Sequence, residues 1–400
     1  MTGAPGLLSG VRILDLSNVL AGPYCAYQLA MLGADVIKVE TPKGGDLARQ
    51  LGADAELCES HMGASFLAQN AGKRSLTLNL KSEKGVAVLK RLVSEADGLV
   101  ENFRPGVMDR LGVGWSALRT VNSGLVYCAV SGFGQDGPMK AAPAYDQIVQ
   151  GLSGLMSVTG GTDTAPLRVG YPVADTLGGM TAAFALTAGL VARGRTGEGC
   201  FIDVSMLEAA ISSMGWVVSN YLIAGQTPVP MGNDNFTAAP SGAFRTADGL
   251  LNIAANKQEQ FVAVMQAIGK PGLAADPRFA SRDARKQNRA ALTAEIEAVL
   301  ITRPRLEWEE ILNRVGVPAG RVLTVPEALE LDQIKARDLL RPSHAQDREI
   351  QVVAAAFKVD GERPAAELAP PTLGQHTDDI LGELGFTGAE IEALRAEAVI

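Results

Sequence analysis

The chain has 400 residues, 47 % of them hydrophobic, which is enough to bury a large core as two domains or one elaborated one. A formal net charge of -8 argues against a nucleic-acid surface and against docking on anionic membranes, so any basic site must be local. The opening stretch MTGAPGLLSGVRILDL lacks a basic region followed by an apolar run and a cleavage site, which leads us to expect a cytoplasmic protein.

Short β-type runs alternate with helical patterns from the start of the chain. Val11 to Leu16 reads as a strand, Pro23 to Leu32 as a helix, Asp35 to Val39 as a strand, Gly85 to Val93 as a helix and Gly98 to Glu101 as a strand. That order predicts an α/β fold on a parallel, Rossmann-like sheet. Leu125 to Val130 and Phe201 to Val204 add strands, and Leu207 to Leu222 reads as one long helix. The apolar run Thr176 to Ala192 is shorter than the roughly 20 residues of a membrane span and contains Gly178 and Gly179, so it is assigned to a buried core helix.

Residues 225–242 are rich in Gly, Pro, Asn and Thr and predict an irregular connection and a domain boundary. The division is then a large domain over 1–224, a small α/β domain over 225–330 and a return segment over 331–400. The small domain mixes a strand pair with amphipathic helices at Gln260 to Ile268 and Arg305 to Val315. The return carries a strand from Ile350, a loop at Pro370 and Pro371, and a helix after Thr387.

Four scattered cysteines and three histidines, His61, His344 and His376, form no metal-ligand spacing and no pairing with a nucleophile. No metal site, disulfide framework or His-dependent hydrolase is expected. His376 reads as a loop or helix-capping residue.

Gly132-Phe133-Gly134-Gln135-Asp136-Gly137 is a literal GxGxxG after a strand, but Pro138 and Pro143 follow where a dinucleotide fold needs a helix. A flexible glycine turn is the reading, and an NAD-dependent oxidoreductase rests on that decoy alone. Asp175 lies just before the apolar run, as an N-cap would, and Gly178 and Gly179 imply that something bulky approaches the same turn. Lys73, Arg74 and Lys81, with Arg104 and Arg110 beyond the strand end at Glu101, form a basic cluster suited to phosphates. Arg49, Lys140 and Arg245 are candidates for holding a second carboxylate.

Taken together, the segments Leu14-Asp15 to Ala21-Gly22-Pro23, Leu32 to Glu40, Asn70 to Ser75, Glu101 to Gly106, Gly316 to Gly320 and Leu373 to Thr377 resemble the class III CoA-transferases in the family's order. The family includes formyl-CoA transferase, carnitine CoA-transferase and α-methylacyl-CoA racemase. The resemblance implies a nucleophilic aspartate at Asp175 and CoA contacts at Val19, Leu20, Leu78, Asn79, Leu80, Lys81, Asn102, Phe103, Arg104, Arg110, Tyr145 and Asp146. It further implies a large domain built from both termini, an interlocked homodimer, and CoA or acyl-CoA as substrate with no permanently bound cofactor.

The implied reaction moves CoA from a donor such as succinyl-CoA to a small carboxylic acid, through a mixed anhydride and an aspartyl-CoA thioester on Asp175. Backbone N–H groups of the Gly132 to Gly137 loop are candidate oxyanion donors. Leu20 stands where the oxalate-pathway enzymes of the family carry a glutamine, which makes oxalate a doubtful acceptor; a small acid such as a C4 to C6 dicarboxylate is the expected one. Ala144-Tyr145-Asp146 stands where the racemase branch has Gly-His-Asp, so racemisation is the second reading. A non-catalytic CoA-binding protein is the third.

Overall fold

A computed structural model describes residues 6–400, and the chain divides into two compact units. The first comprises residues up to Leu155, Arg168–Gln226 and Gln333–Ile400; the second comprises Met156–Leu167 and Thr227–Asp332.

The first unit is built on six parallel strands: β1 (Arg12–Asp15), β2 (Asp35–Glu40), β3 (Lys73–Thr77), β4 (Gly98–Glu101), β5 (Val126–Ser131) and β6 (Cys200–Ser205), in the order β3-β2-β1-β4-β5-β6. Leu14 lies level with Ile37 on one side and Leu99 on the other. Successive strand residues point to opposite faces, so Leu14, Ile37, Leu76 and Leu99 feed one core while Ile13, Val36, Val100 and Val126 feed another.

The principal helices of this unit are α1 (Ala21–Met31), α2 (Glu83–Ser94), α3 (Asp146–Leu152), α4 (Val173–Thr196), α5 (Met206–Ser213) and α6 (Trp216–Ala224). The stretch Leu207 to Leu222, expected as one helix, is two, because the chain turns at Gly215 with φ +42°. Helix α4 also differs from expectation. It begins at Val173 and runs 24 residues, and only one face is buried, whereas Met180, Phe184 and Val191 on it are exposed. By length and composition it could span a membrane, yet its buried face packs on the apolar core that α1 and β5 share. The bulky neighbours of Gly178 and Gly179 are protein: a Cβ on Gly179 would lie 2.4 Å from the Ala21 carbonyl oxygen, and one on Gly178 would lie 2.9 Å from Met206 Cγ.

Strand β3 was missed in the sequence because Lys73 and Arg74 disguise a buried strand. The second unit has three antiparallel strands, β7 (Ser241–Arg245), β8 (Leu250–Ala254) and β9 (Ala319–Arg321), with helices α7 (Gln258–Ala267), α8 (Arg289–Leu300) and α9 (Arg305–Arg314). Phe244, Leu251, Phe261, Ile296 and Trp308 fill its core. The return segment forms a hairpin, β10 (Leu340–Ala345) and β11 (Arg348–Val353), then α10 (Thr377–Glu383) and α11 (Gly388–Ala396). It adds helices to the first unit rather than a seventh strand to the parallel sheet: Ile380, Leu384 and Leu394 join Leu76 and Leu92 in one core.

Candidate active site

The strand order reverses between β1 and β4, and an open parallel sheet binds ligands beyond its carboxyl ends at such a switch point. A cleft of about 190 Å³ lies there. The loops after β1 (Asn18, Val19, Leu20), β4 (Asn102, Phe103, Arg104) and β5 (Ser131, Gly132, Phe133) line it, together with Lys140, Tyr145, Asp175 and Met206. A second cleft of about 500 Å³, walled by Trp115, Tyr127 and Phe201, adjoins it through shared Arg104, Pro105 and Lys140.

Asp175 is not the N-cap of α4. That position is Pro172, which has no side chain able to cap, and Asp175 falls in the first helical turn. The capping role passes to Asp146 on α3: one carboxylate oxygen accepts from the Ala174 N–H at 2.8 Å and, at 3.4 Å, from the Asp175 N–H. Its other oxygen accepts from Gln150 Nε2 at 2.7 Å. Asp146, expected to touch CoA, is therefore spent on orienting the helix start. This frees the Asp175 carboxyl to face the cleft. Burial, reinforced by the nearby Asp146 charge, pushes the Asp175 carboxyl up to about 7.

Asn102 is likewise engaged. Its Oδ1 accepts from the Asn18 N–H and its Nδ2 donates to the Asn18 carbonyl, each at 2.7 Å, which ties the β1 and β4 loops together. Phe103 and Arg104 follow in the same loop, whose Phe103 N–H is held by Glu101 at 2.7 Å. Burial pushes the Glu101 carboxyl up to about 7 as well. Tyr145 starts α3 and stands exposed at the cleft.

The other expected CoA contacts lie outside the cleft lining. Leu78 is buried in the core and Leu80 packs against it. The Asn79 backbone N–H donates to the Val399 carbonyl at 2.7 Å, and Lys81 is exposed beyond β3. Arg110 reaches back over Gly106, which lines the adjoining cleft; a Cβ there would lie 3.5 Å from its Nη1.

Several basic residues prove structural. Lys73 is fully buried and donates to Asp15 at 2.8 Å and to the Pro23 carbonyl at 2.9 Å, and Arg74 pairs with Asp35 and Glu383. Neither is placed to grip a phosphate. Arg49 is fully buried against Glu40 at 2.7 Å, and Arg245 in the second unit pairs with Glu297 at 2.7 Å. Of the three candidates for a second carboxylate, Lys140 alone lines the cleft.

Beneath the β1 loop these buried charges form a network. Burial opposes ionisation of Asp15, but Lys38 and Lys73 hold its carboxyl down at about 2. For Lys73 burial wins and its amine falls to about 8, whereas Lys38, facing Asp15, Asp46 and Glu40, is raised.

The Gly132 to Gly137 turn opens no helix, as expected, and Gly132 and Phe133 border the same cleft as Asp175. Two of its other N–H groups are taken: Gly134 donates to Ser131 Oγ at 3.0 Å and Gln135 to Asp203 at 2.8 Å. His376 leaves the α10 N-terminus without a side-chain cap; its Nδ1 accepts from the Ser75 N–H at 3.2 Å. Asn18, Asp46 and Gln69 were missed in the sequence. Asn18 lies in the loop just past the end of β1, a usable signal; the other two are isolated polar residues whose role depends on tertiary contacts.

The family described as CoA-transferase family III matches residues 8–377. A succinyl-CoA:glutarate CoA-transferase of Mus musculus is 35 % identical over 395 residues, 98 % of this chain and 90 % of the mouse chain. An acetyl-CoA:oxalate CoA-transferase of Acetobacter aceti is 40 % identical over 367 residues, 90 % of this chain and 92 % of its own. A crystal structure of a CAIB/BAIF family protein from Brucella suis superposes with a TM-score of 0.85 at 34 % identity, covering 95 % of this chain and all of that one. With a matched family and relatives that extend over nearly its whole length, the chain belongs to CoA-transferase family III.

Proposed function

We propose that this CoA-transferase moves CoA from succinyl-CoA to a small carboxylic acid through covalent intermediates on Asp175. The observation that carries the reading is a partly buried, uncapping carboxylate at a helix N-terminus, facing a cleft at the switch point of the sheet. The Asp175 carboxylate attacks the thioester carbonyl, the C–S bond breaks, and CoA thiolate leaves a mixed anhydride. The thiolate then attacks the aspartyl carbonyl, releasing the donor acid and leaving an aspartyl-CoA thioester. The acceptor carboxylate reverses both steps. Because each intermediate keeps the activation of the original thioester, the sequence balances without a further reactant.

The helix dipole and first-turn N–H groups of α4 favour negative charge where Asp175 acts. Burial opposes it, and the raised carboxyl is the more reactive nucleophile once ionised. None of His61, His344 or His376 lines the cleft, so the racemase reading lacks its proton-moving base. Leu20 gives the cleft an apolar wall, which supports an acceptor with a hydrocarbon backbone, a C4 to C6 dicarboxylate with Lys140 available to its far carboxylate. Oxalate belongs in the acceptor panel because the Acetobacter relative is named for it.

The exposed apolar residues of α4, together with α6, on which Trp216, Leu222 and Ile223 are all exposed, support a homodimer in which a second copy covers them.

Steady-state kinetics test the proposal. Double-reciprocal plots for succinyl-CoA against glutarate are expected to be parallel, the mark of a covalent intermediate. The logarithm of kcat/KM should climb with unit slope to about pH 7 and level off above it, because only ionised Asp175 attacks. Intersecting plots, or a plateau already reached in the ordinary carboxylate range, would contradict it.

A further inference from the structure

Val19 borders the Asp175 cleft with φ +67°, a left-handed conformation that a β-branched residue avoids because its Cβ crowds the following carbonyl. Such outliers persist only where surrounding groups over-determine them, and they concentrate at functional sites. Here both peptide groups of Val19 are held by buried side chains. Its N–H donates to Asp46 Oδ1 at 2.9 Å, and its carbonyl accepts from Gln69 Nε2, also at 2.9 Å. Asp46 is anchored by Lys38 at 3.0 Å, and Lys38 in turn donates to the Ser17 carbonyl at 2.9 Å. On the other side Asn102 fixes Asn18.

We propose that Asp46 and Gln69 are positioning residues for the transfer reaction: they clamp Val19 in its left-handed conformation and so fix the Asn18 to Leu20 wall against Asp175. Neither residue lines the cleft, so neither touches substrate. Released from the clamp, Val19 relaxes toward negative φ, and the peptide planes that aim Leu20 and the start of α1 rotate away. The wall that faces the acyl group and CoA then loses its shape, and misplacement by about 1 Å is enough to cost a reaction on the order of 10²-fold.

Gln69 is the residue to change, because Asp46 also neutralises buried Lys38 and its loss would threaten folding. Gln69 Oε1 is buried without a hydrogen-bond partner, so Gln69→Leu removes an unsatisfied acceptor along with the Val19 contact. The expected result is a fall in kcat/KM on the order of 10²-fold and weaker CoA binding by about tenfold, with Tm within about 4 °C of wild type. The inference rests on the transfer reading for its turnover readout, and the CoA titration keeps the two separable. If the wild type transfers no CoA, the transfer reading fails and the titration alone decides the clamp. Unchanged turnover and affinity in Gln69→Leu, or losses matched by a collapse in Tm, would each overturn it.

Discussion

Replacing Asp175 with alanine is expected to lower the transfer rate on the order of 10⁴-fold or more while leaving the fold intact, since removal of a covalent nucleophile leaves only binding and positioning. The fold survives because Asp146, not Asp175, satisfies the start of α4. Above neutral pH the variant should even be more stable than the wild type. The folded-state carboxyl titrates at about 7 and the unfolded one in the ordinary range, so between those values the folded state binds more protons and stability falls as pH rises. Asp175→Asn removes that penalty and is expected to gain on the order of 1–3 kcal/mol at pH 8. Transfer assays and denaturant melts on the same preparation check both halves. A variant that keeps its transfer activity would rule out Asp175 as the nucleophile, whereas wild-type protein that binds CoA but transfers none would return the chain to the non-catalytic CoA-binding reading.

The largest expected loss of stability lies at Arg49. Its guanidinium holds the Glu40 carboxylate with two bonds of 2.7 Å, donates to the Pro371 carbonyl at 3.2 Å and lies 3.7 Å over the Phe66 ring. Arg49→Met leaves Glu40 buried beside Lys38 without its main partner, and is expected to cost about 3–5 kcal/mol. Glu40→Gln in the same chain should recover a large part of it, because the uncompensated charge and not the lost packing dominates. Equal losses in the single and double variants, measured by urea unfolding, would show that the ring stacking and packing carry the stability instead. Either way the effect belongs to folding, because Arg49 is sealed from the cleft.

Much of the architecture was legible because apolar periodicity is a local property. Gly98 to Glu101 forms its strand with the expected bounds, and Asp35 to Val39 falls one residue short. What periodicity could not show was charge turned inward. Lys73 and Arg74 in β3 read as a phosphate-suited cluster until the sheet brings Asp15 against Lys73, and Asp35 and Glu383 against Arg74; in β2, Lys38 and Glu40 meet Asp15, Asp46 and Arg49 in the interior. The start of α4 was misplaced for a related reason: Asp175 is a good N-cap residue locally, but the cap comes from Asp146, 29 residues earlier in the chain. The candidate site was legible through the resemblance rather than through spacing. Asp175, Val19, Leu20, Asn102, Phe103, Arg104 and Tyr145 meet in one cleft, whereas Leu78 to Lys81 lie beyond another strand. The clamp on Val19 was invisible in sequence, because a backbone angle leaves no mark on a valine.

The proposed transfer turns on covalent attachment of CoA to Asp175. Intact-protein mass spectrometry after incubation with succinyl-CoA, with and without hydroxylamine and followed by peptide mapping, tests it most directly. A CoA-sized, hydroxylamine-sensitive adduct is expected on the peptide containing Asp175 and should be absent from Asp175→Ala. Binding of succinyl-CoA with transfer to an acceptor but no adduct at Asp175 under quenched conditions would contradict it.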